Sequence, residues 1–399
     1  MSAWFVPGRI EVLGKHTDYA GGRTLVCAVD RGVTARWSSS QDEGHEVTVS
    51  SDAIAGDLHL SADQAPDLPA GHWGRYVHSV ICRLSANFGP LQPGRLDLSS
   101  TLPLASGMSS SSALVSATVL SLADANGFTE DPRWTRAITD QADLAQYLAC
   151  NENGMSFKDL EGSAGVGTFG GSEDHTAMVF SQADKLGQFL FCPIRLEKRV
   201  DFPAQMSFVV VVSGVAAEKT GAALELYNRA SLSTREILSL WNEATGRHDA
   251  VLAEAVAADP QAERLRSLVA GEDYLSRRLE HFLAESGRII PAASAALESG
   301  DLAAFGAAVD ESQHAAGTLL GNQVPQTEAL ARLAREAGAV ASTSFGAGFG
   351  GSVWAMVPTT DAEDFAAEWV RRYGEQYPEE ASRATSLVTR PGPSARRLD

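Results

Sequence analysis

The sequence is poor in cysteine, has no long apolar run, and is short of positive charge. Its four cysteines in 399 residues, Cys27, Cys82, Cys150 and Cys192, form no CxxC spacing. Each sits beside apolar neighbours, which excludes a disulfide framework or a zinc site and fits buried, reduced thiols in a cytosolic protein. The most apolar stretch, Phe208–Val212, falls far short of the roughly 18 residues that a bilayer demands. The first seven residues carry no basic region before Pro7 and fit no signal peptide, so a cytoplasmic location is expected. Lysine and arginine number 32 against 50 acidic residues, a net charge of -18. A field of that sign repels phosphate backbones and anionic lipid heads, so nucleic acid and membrane are not expected partners.

What is present is the make-up of a folded chain: 44% hydrophobic and 21% charged residues, which excludes wholesale disorder. The length suits two domains. Arg9–Leu13 and Leu25–Trp37 are β-rich and flank Ala20-Gly21-Gly22, and Arg95–Leu98 alternates as a half-buried strand does. Ser109–Ala125 is apolar nearly all round and stops at Asn126-Gly127, the pattern of a buried helix with a glycine cap. Thr176–Phe180 reads as a strand, as do Phe208–Val212 and Val353–Val357, while Leu302-Phe305-Val309 and Leu330-Leu333-Ala337 keep helical faces. The charged, Pro203-containing segment Arg195–Met206 breaks the pattern. The fold class expected is α+β, with one domain over 1–200 and a second over 201–399.

Three clusters carry chemistry. Pro103–Ala113 holds Gly107 and then Ser109, Ser110, Ser111 and Ser112, between a strand and the buried helix. Free N–H groups at a helix N-terminus, glycine's close approach and serine hydroxyls together suit a phosphate, where capping alone needs one serine. No GxxxxGK[ST] occurs, so this is not a P-loop. Gly165–Gly170 matches GxGxxG, but without a buried strand before it and a helix after it the dinucleotide reading does not hold. A protein-kinase loop fares no better, since HRD and DFG are both absent. Gly346-Ala347-Gly348-Phe349-Gly350-Gly351 is either a tight turn or a wall of the phosphate site. In Gly8–Tyr19, the crowding of Lys15, His16, Asp18 and Tyr19 suits a polyhydroxylated ligand, with hydrogen-bonding turn residues as the plainer reading.

Taken in order and spacing, these clusters resemble the three motifs of the GHMP small-molecule kinases. The first is similar to the galactokinase signature GRxNxxGEHxDYxxG, through Gly8-Arg9, Gly14, His16, Asp18-Tyr19 and Gly21 or Gly22. The second resembles the family's serine phosphate loop, and the third its G-x-G-F-G-G turn. Gly171-Ser172-Glu173-Asp174-His175 is similar to G-I-M-D-Q, Trp73-Gly74-Arg75-Tyr76 looks like the family, and Tyr227-Asn228-Arg229-Ala230 keeps part of Tyr-Asn-x-Arg.

The resemblance implies a two-domain fold of mixed sheets and helices with its active site in the cleft between domains. It implies a kinase that uses ATP and Mg2+ to phosphorylate the anomeric hydroxyl of galactose. Asp174 would orient or deprotonate that hydroxyl and Arg9 would keep it ionised. Lys15, His16, Asp18, Tyr19, Gly171 and Tyr227 would form the sugar site. Gly107, the four serines, Gly348 and Gly350 would cradle the nucleotide. Ser111 and Glu161 would hold Mg2+, with Glu152 the competitor of Glu161. The net charge of -18 is no obstacle to ATP, because repulsion is screened within about 8 Å and these groups make local positive potential.

Two departures stand out: Glu11 replaces the family asparagine, and Lys15 replaces an acid associated with the sugar's hydroxymethyl end. A cation facing the acceptor would favour a uronic acid, whereas a Lys15 turned to solvent would leave galactose in place. A sugar-sensing regulator without activity is the alternative of another class, which Arg9, Asp174 and the serine loop oppose, and a mevalonate-type kinase is opposed by the first motif. A monomer or weak homo-oligomer is expected.

Overall fold

The β-rich segments in the first forty residues become two long antiparallel strands, β1 (Ser2–Leu13) and β2 (Arg23–Ser39). The computed structural model describes residues 2–41, 44–69, 71–103, 107–163, 165–166, 170–215 and 221–398. Around β1 and β2 an eight-stranded sheet forms from β3 (Val47–Ser51), β4 (Ile54–Leu60), β5 (Gly94–Ser100), β6 (Lys185–Leu190), β7 (Arg195–Asp201) and β12 (Arg396–Leu398). The order runs β12-β1-β2-β5-β3-β4, with β6 branching from β2 and carrying β7. β12 brings the chain's last strand back to its first, antiparallel through Ala3 and Leu398.

A second sheet takes β8 (Met206–Val212), β9 (Ala341–Phe345), β10 (Ser352–Pro358) and β11 (Thr385–Thr389) in the order β11-β8-β10-β9. Every residue of β8 is buried. Helices Pro325–Glu336 and Ala362–Gln376 cover one face with Leu330, Trp369 and Tyr373. Phe208 meets Trp354 edge to face at 5.2 Å, and both belong to the same buried cluster as Val6, Ile10 and Leu25 of the first sheet. The two sheets therefore share a core.

The apolar Ser110–Ala125 helix lies on β1 and β2 and is flanked by helices Gly74–Phe88, Gln141–Asn153 and Glu173–Phe180, which is why it shows no polar face. A third, helical cluster packs Ile237, Trp241, Leu279 and Phe282 around Ala20 of the first motif.

The α+β class forms as expected, and the strands and helices read from periodicity fall where expected with one exception. Thr176–Phe180 is not a strand but the end of the helix Glu173–Phe180. Its β-branched and aromatic residues suit either state. Gly170-Gly171-Ser172 starts a new element, Glu173 and Asp174 favour a helix N-terminus, and Thr176 Oγ1 donates to the Ser172 carbonyl at 2.8 Å. Leu104–Ser106 of the serine loop and Gly167–Phe169 of the GxGxxG match lie outside the described residues. Among the described residues, no helix is long and apolar enough to cross a membrane.

Candidate active site

Three turns and two helix N-termini converge on a cavity of about 240 Å³. A β-bulge between Pro7 and Arg9 sets Arg9 on β1, whose backbone N–H donates to the Met108 carbonyl of the serine loop. The Arg9 Nε donates to Asp174 Oδ1 at 2.7 Å and its Nη1 to the Gly107 carbonyl at 2.6 Å. The guanidinium thus ties the serine loop to the first turn of the Glu173–Phe180 helix, with the Phe345 ring 5.9 Å from its centre. Glu173 Oε1 stands 3.8 Å from the same Nε. Burial acts against the Arg9 charge, yet Asp174, Glu173 and Glu11 outweigh it and raise its pKa.

At the serine loop, Ser109 adopts φ 58° at the N-cap and makes no side-chain capping bond. Ser111 Oγ donates to Glu152 Oε1 at 3.1 Å and Ser112 Oγ to Glu152 Oε2 at 2.6 Å. Ser112 also reaches Asp174 Oδ2 at 3.3 Å, and His175 Nε2 lies 3.4 Å from Glu152 Oε2. Hydroxyl and carboxylate oxygens form a hard donor set that fits Mg2+. Among the described residues no group of three or more His, Cys, Asp or Glu side chains could hold a metal. Such an ion would draw its other ligands from phosphates and water.

The opposite wall comes from the first motif. Asp18 accepts a hydrogen bond from the Glu173 backbone N–H at 3.0 Å, and a Cβ on Gly171 would stand 2.0 Å from Asp18 Oδ2, so residue 171 has room only for glycine. Burial raises the Asp18 pKa against the pull of the Glu173, Tyr19 and Ser172 N–H groups. His16 bridges Tyr19 and Ala347, through Nδ1 to the phenol oxygen at 2.9 Å and Nε2 to the carbonyl at 3.0 Å. The Tyr227 ring lies 5.4 Å from that of His16, tilted at 58° to it. The glycine-rich turn closes the cavity, with Gly348 at φ +85° where a Cβ would meet the Asn322 carbonyl at 2.3 Å.

Arg9, His16, Asp18, Tyr19, Gly107, Ser109, Ser110, Ser111, Gly171, Asp174, Tyr227 and Gly348 thus come together on the wall. Ser112 sits just behind it, bonded to Glu152 and Asp174, and Gly350 lies further along the turn and off the wall. Lys15 and Glu161 are elsewhere. Lys15 faces neither cavity nor solvent: its side chain is fully buried, with Nζ donating to Ser312 Oγ at 3.3 Å and Ser312 Oγ donating to Glu285 Oε1. Glu161 is exposed and off the wall, and Glu152 takes the place beside Ser111. Sequence reasoning passed over Glu173, His175 and Tyr76 as wall residues, although they stand within the matched segments Gly171–His175 and Trp73–Tyr76, and it named Glu11 only as a departure.

Glu11 and Glu173 are both buried, and among the described residues the Oε1 of each has no hydrogen-bond partner. Burial pushes Glu11 up to about 7, only partly opposed by Lys15 and Arg9, and pushes Glu173 well above the usual carboxylate range, aided by the charge of Glu11. A carboxyl with a raised folded-state pKa holds its proton more tightly folded than unfolded, so stability falls as pH rises from its unfolded to its folded value. For Glu11 that window runs from about 4.5 to about 7, a loss of roughly 3 kcal/mol. Glu11→Gln has no such proton to lose. Its melting temperature is expected to stay close to that of the parent chain at pH 5 and to exceed it at pH 8. Melting curves of equal pH dependence would contradict this.

Comparison with known proteins follows the same pattern. Residues 2–38 match the galactokinase galactose-binding signature, residues 75–156 the N-terminal domain of GHMP kinases, and residues 293–376 their C-terminal domain. The galactokinase of Mycobacterium tuberculosis (strain H37Rv) is 27% identical over 367 residues, which cover 92% of this chain and 91% of that protein. The galactokinase of Roseiflexus sp. is 26% identical over 375 residues, covering 92% and 86%. In fold, the chain is similar to Lactococcus lactis galactokinase complexed with galactose, at TM-score 0.82 and 23% identity over 100% of this chain and 95% of that one. Methanococcus jannaschii mevalonate kinase is more distant, at TM-score 0.58 and 14% identity over 97% of each.

Proposed function

The chain belongs to the GHMP kinase family, and we propose that within it the protein is a galactose 1-kinase that transfers the γ-phosphoryl group of ATP to the anomeric hydroxyl. The observation that carries this reading is the Arg9–Asp174 pair at 2.7 Å, set between the sugar-side turn and the serine loop in one cavity. Galactokinase relatives aligned over nine-tenths of the chain support galactose as the acceptor.

In this mechanism, Asp18 and Tyr227 hold the sugar hydroxyls while an Asp174 oxygen accepts a hydrogen bond from the 1-OH. As that oxygen attacks the γ-phosphorus in line, its proton passes to Asp174 and the bond to the β,γ-bridging oxygen breaks to release ADP. Arg9 holds Asp174 ionised and turned to the acceptor, since a nearby cation favours the charged carboxylate. N–H groups of the Ser110–Ala125 helix start receive the phosphates. Ser111 and Glu152 would hold Mg2+, which when bound neutralises the charge that develops on the phosphate oxygens.

Galactose presented with ATP in a coupled ADP assay is the test. Sugar-dependent ADP release with galactose preferred supports the reading, whereas galactose binding without ADP release would make the chain a sensor. Because Lys15 is turned away from the cavity, nothing it offers there selects a carboxylate-bearing acceptor. Lys15→Met is therefore expected to leave the ratio of kcat/KM for galactose over galacturonate unchanged, and a marked shift in that ratio would return Lys15 to the sugar site.

A further inference from the structure

Behind the acceptor wall lies a buried guanidinium. Arg278, on the helix Asp273–Ala284, is fully buried, and among the described residues no carboxylate pairs with it. Burying a cation this way is costly unless its donors are satisfied. Four of its five N–H groups go to neutral partners. Nε donates to the Ala230 carbonyl at 3.2 Å and Nη1 meets His281 Nδ1 at 3.1 Å. Nη2 serves both the His16 carbonyl and the Tyr19 phenol oxygen.

These acceptors are the backing of the sugar wall. His16 and Tyr19 belong to the first-motif turn. Ala230 lies on the Gly221–Thr245 helix, about one turn beyond Tyr227. Arginine can only donate, so the Tyr19 oxygen accepts from Arg278. In the neutral His16 ring, Nε2 faces a carbonyl that can only accept, which leaves Nδ1 to accept the Tyr19 hydrogen. His16 Nε2 then carries the remaining hydrogen and donates it to the Ala347 carbonyl. One directed chain thus runs from the Asp273–Ala284 helix to the glycine-rich turn, and it begins at Arg278.

We propose that Arg278 is a positioning residue of the acceptor site, fixing the His16–Tyr19 turn and the helix that carries Tyr227 in the places from which they hold the sugar. This deepens the sugar-kinase reading above and rests on it. Among the described residues Arg278 touches no reacting atom and bonds directly to neither the serine loop nor the glycine-rich turn, which it reaches only through Tyr19 and His16, so its loss falls first on the acceptor.

Three variants test it: Arg278→Met, Arg278→Lys and Tyr19→Phe. Arg278→Met is expected to raise the galactose KM by about tenfold or more, with the ATP KM unchanged. Arg278→Lys keeps the charge without the fork and should fall between it and the parent chain. Should Arg278→Met fail to fold, Tyr19→Phe carries the test, since it removes one hydroxyl and should raise the galactose KM by a smaller factor at unchanged ATP KM. Calorimetric titration with galactose alone reads the same loss of affinity without turnover. A parent chain that binds galactose but releases no ADP would thus fail the kinase reading, while the titrations still decide this one. The proposal is overturned if Arg278→Lys and Tyr19→Phe bind galactose as the parent does, or if the galactose and ATP KM values rise in parallel.

Discussion

Asp174→Asn should lower sugar-dependent ADP release by about a thousandfold or more while the chain stays folded. The amide keeps the shape of the carboxylate and can no longer take the proton of the anomeric hydroxyl. Breaking a buried ion pair usually destabilises a protein, because it strands one charge. Here Arg9 keeps its bond to the Gly107 carbonyl, and Glu173, 3.8 Å away, and Glu11 ionise more readily beside it once the Asp174 charge that helped hold their protons is gone. Neither can replace Asp174 in the chemistry. The Asp174 side chain is 21% exposed to the cavity against 7% for Glu173, and Glu173 has its pKa raised well above the usual range and so tends to hold its proton. The measurement is kcat in the coupled assay beside a thermal melt. Activity close to the parent's would remove Asp174 as the base, and a melt collapsing with the activity would make its role structural.

Much of this site was legible because its chemistry sits in short contiguous segments. Glycine and serine runs announce the turns at Gly107–Ser112 and Gly346–Gly351, and Gly8–Tyr19 gathers charged and aromatic groups in one loop. Periodicity exposed the Ser110–Ala125 helix because packing on all sides removes its polar face. Side-chain direction was another matter. The turn of Lys15 into the interior depends on Ser312, 297 positions on, and no local pattern reports such a contact. Preference for Glu152 over Glu161 likewise rests on the Gln141–Asn153 helix running past the serine loop and ending just after Glu152. The misread at Thr176–Phe180 came from residues that suit either state, where the acidic first turn and burial against the Ser110–Ala125 helix decided. Arg278 had no signal at all, standing in a polar-looking stretch, Ser276-Arg277-Arg278, whose first two residues are half-buried while Arg278 is fully buried.

Gly171→Ala should raise the galactose KM by about a hundredfold or more, through a single methyl group. The added Cβ would stand 2.0 Å from Asp18 Oδ2 and 2.5 Å from its Cγ, distances at which something must move. Asp18 is not a flexible side-chain end that swings aside at little cost: it is buried and accepts the Glu173 N–H at 3.0 Å. Relief must therefore come from the Asp18 carboxylate leaving that N–H or from the backbone at 171 withdrawing. Either movement displaces a sugar-holding group, and the second also shifts the helix start that carries Asp174. A displacement of about an ångström at a reacting centre is enough for an effect of this size. The three atoms nearest the added methyl group all belong to Asp18, not to the described serine loop, Glu152 or the Gly346–Gly348 turn, so the ATP KM is expected to hold. Kinetics with each substrate varied in turn check the split. A galactose KM unchanged in Gly171→Ala would show that Asp18 does not hold the sugar in the position proposed here, and equal losses for both substrates would show that the whole cavity, not its acceptor wall, depends on this contact.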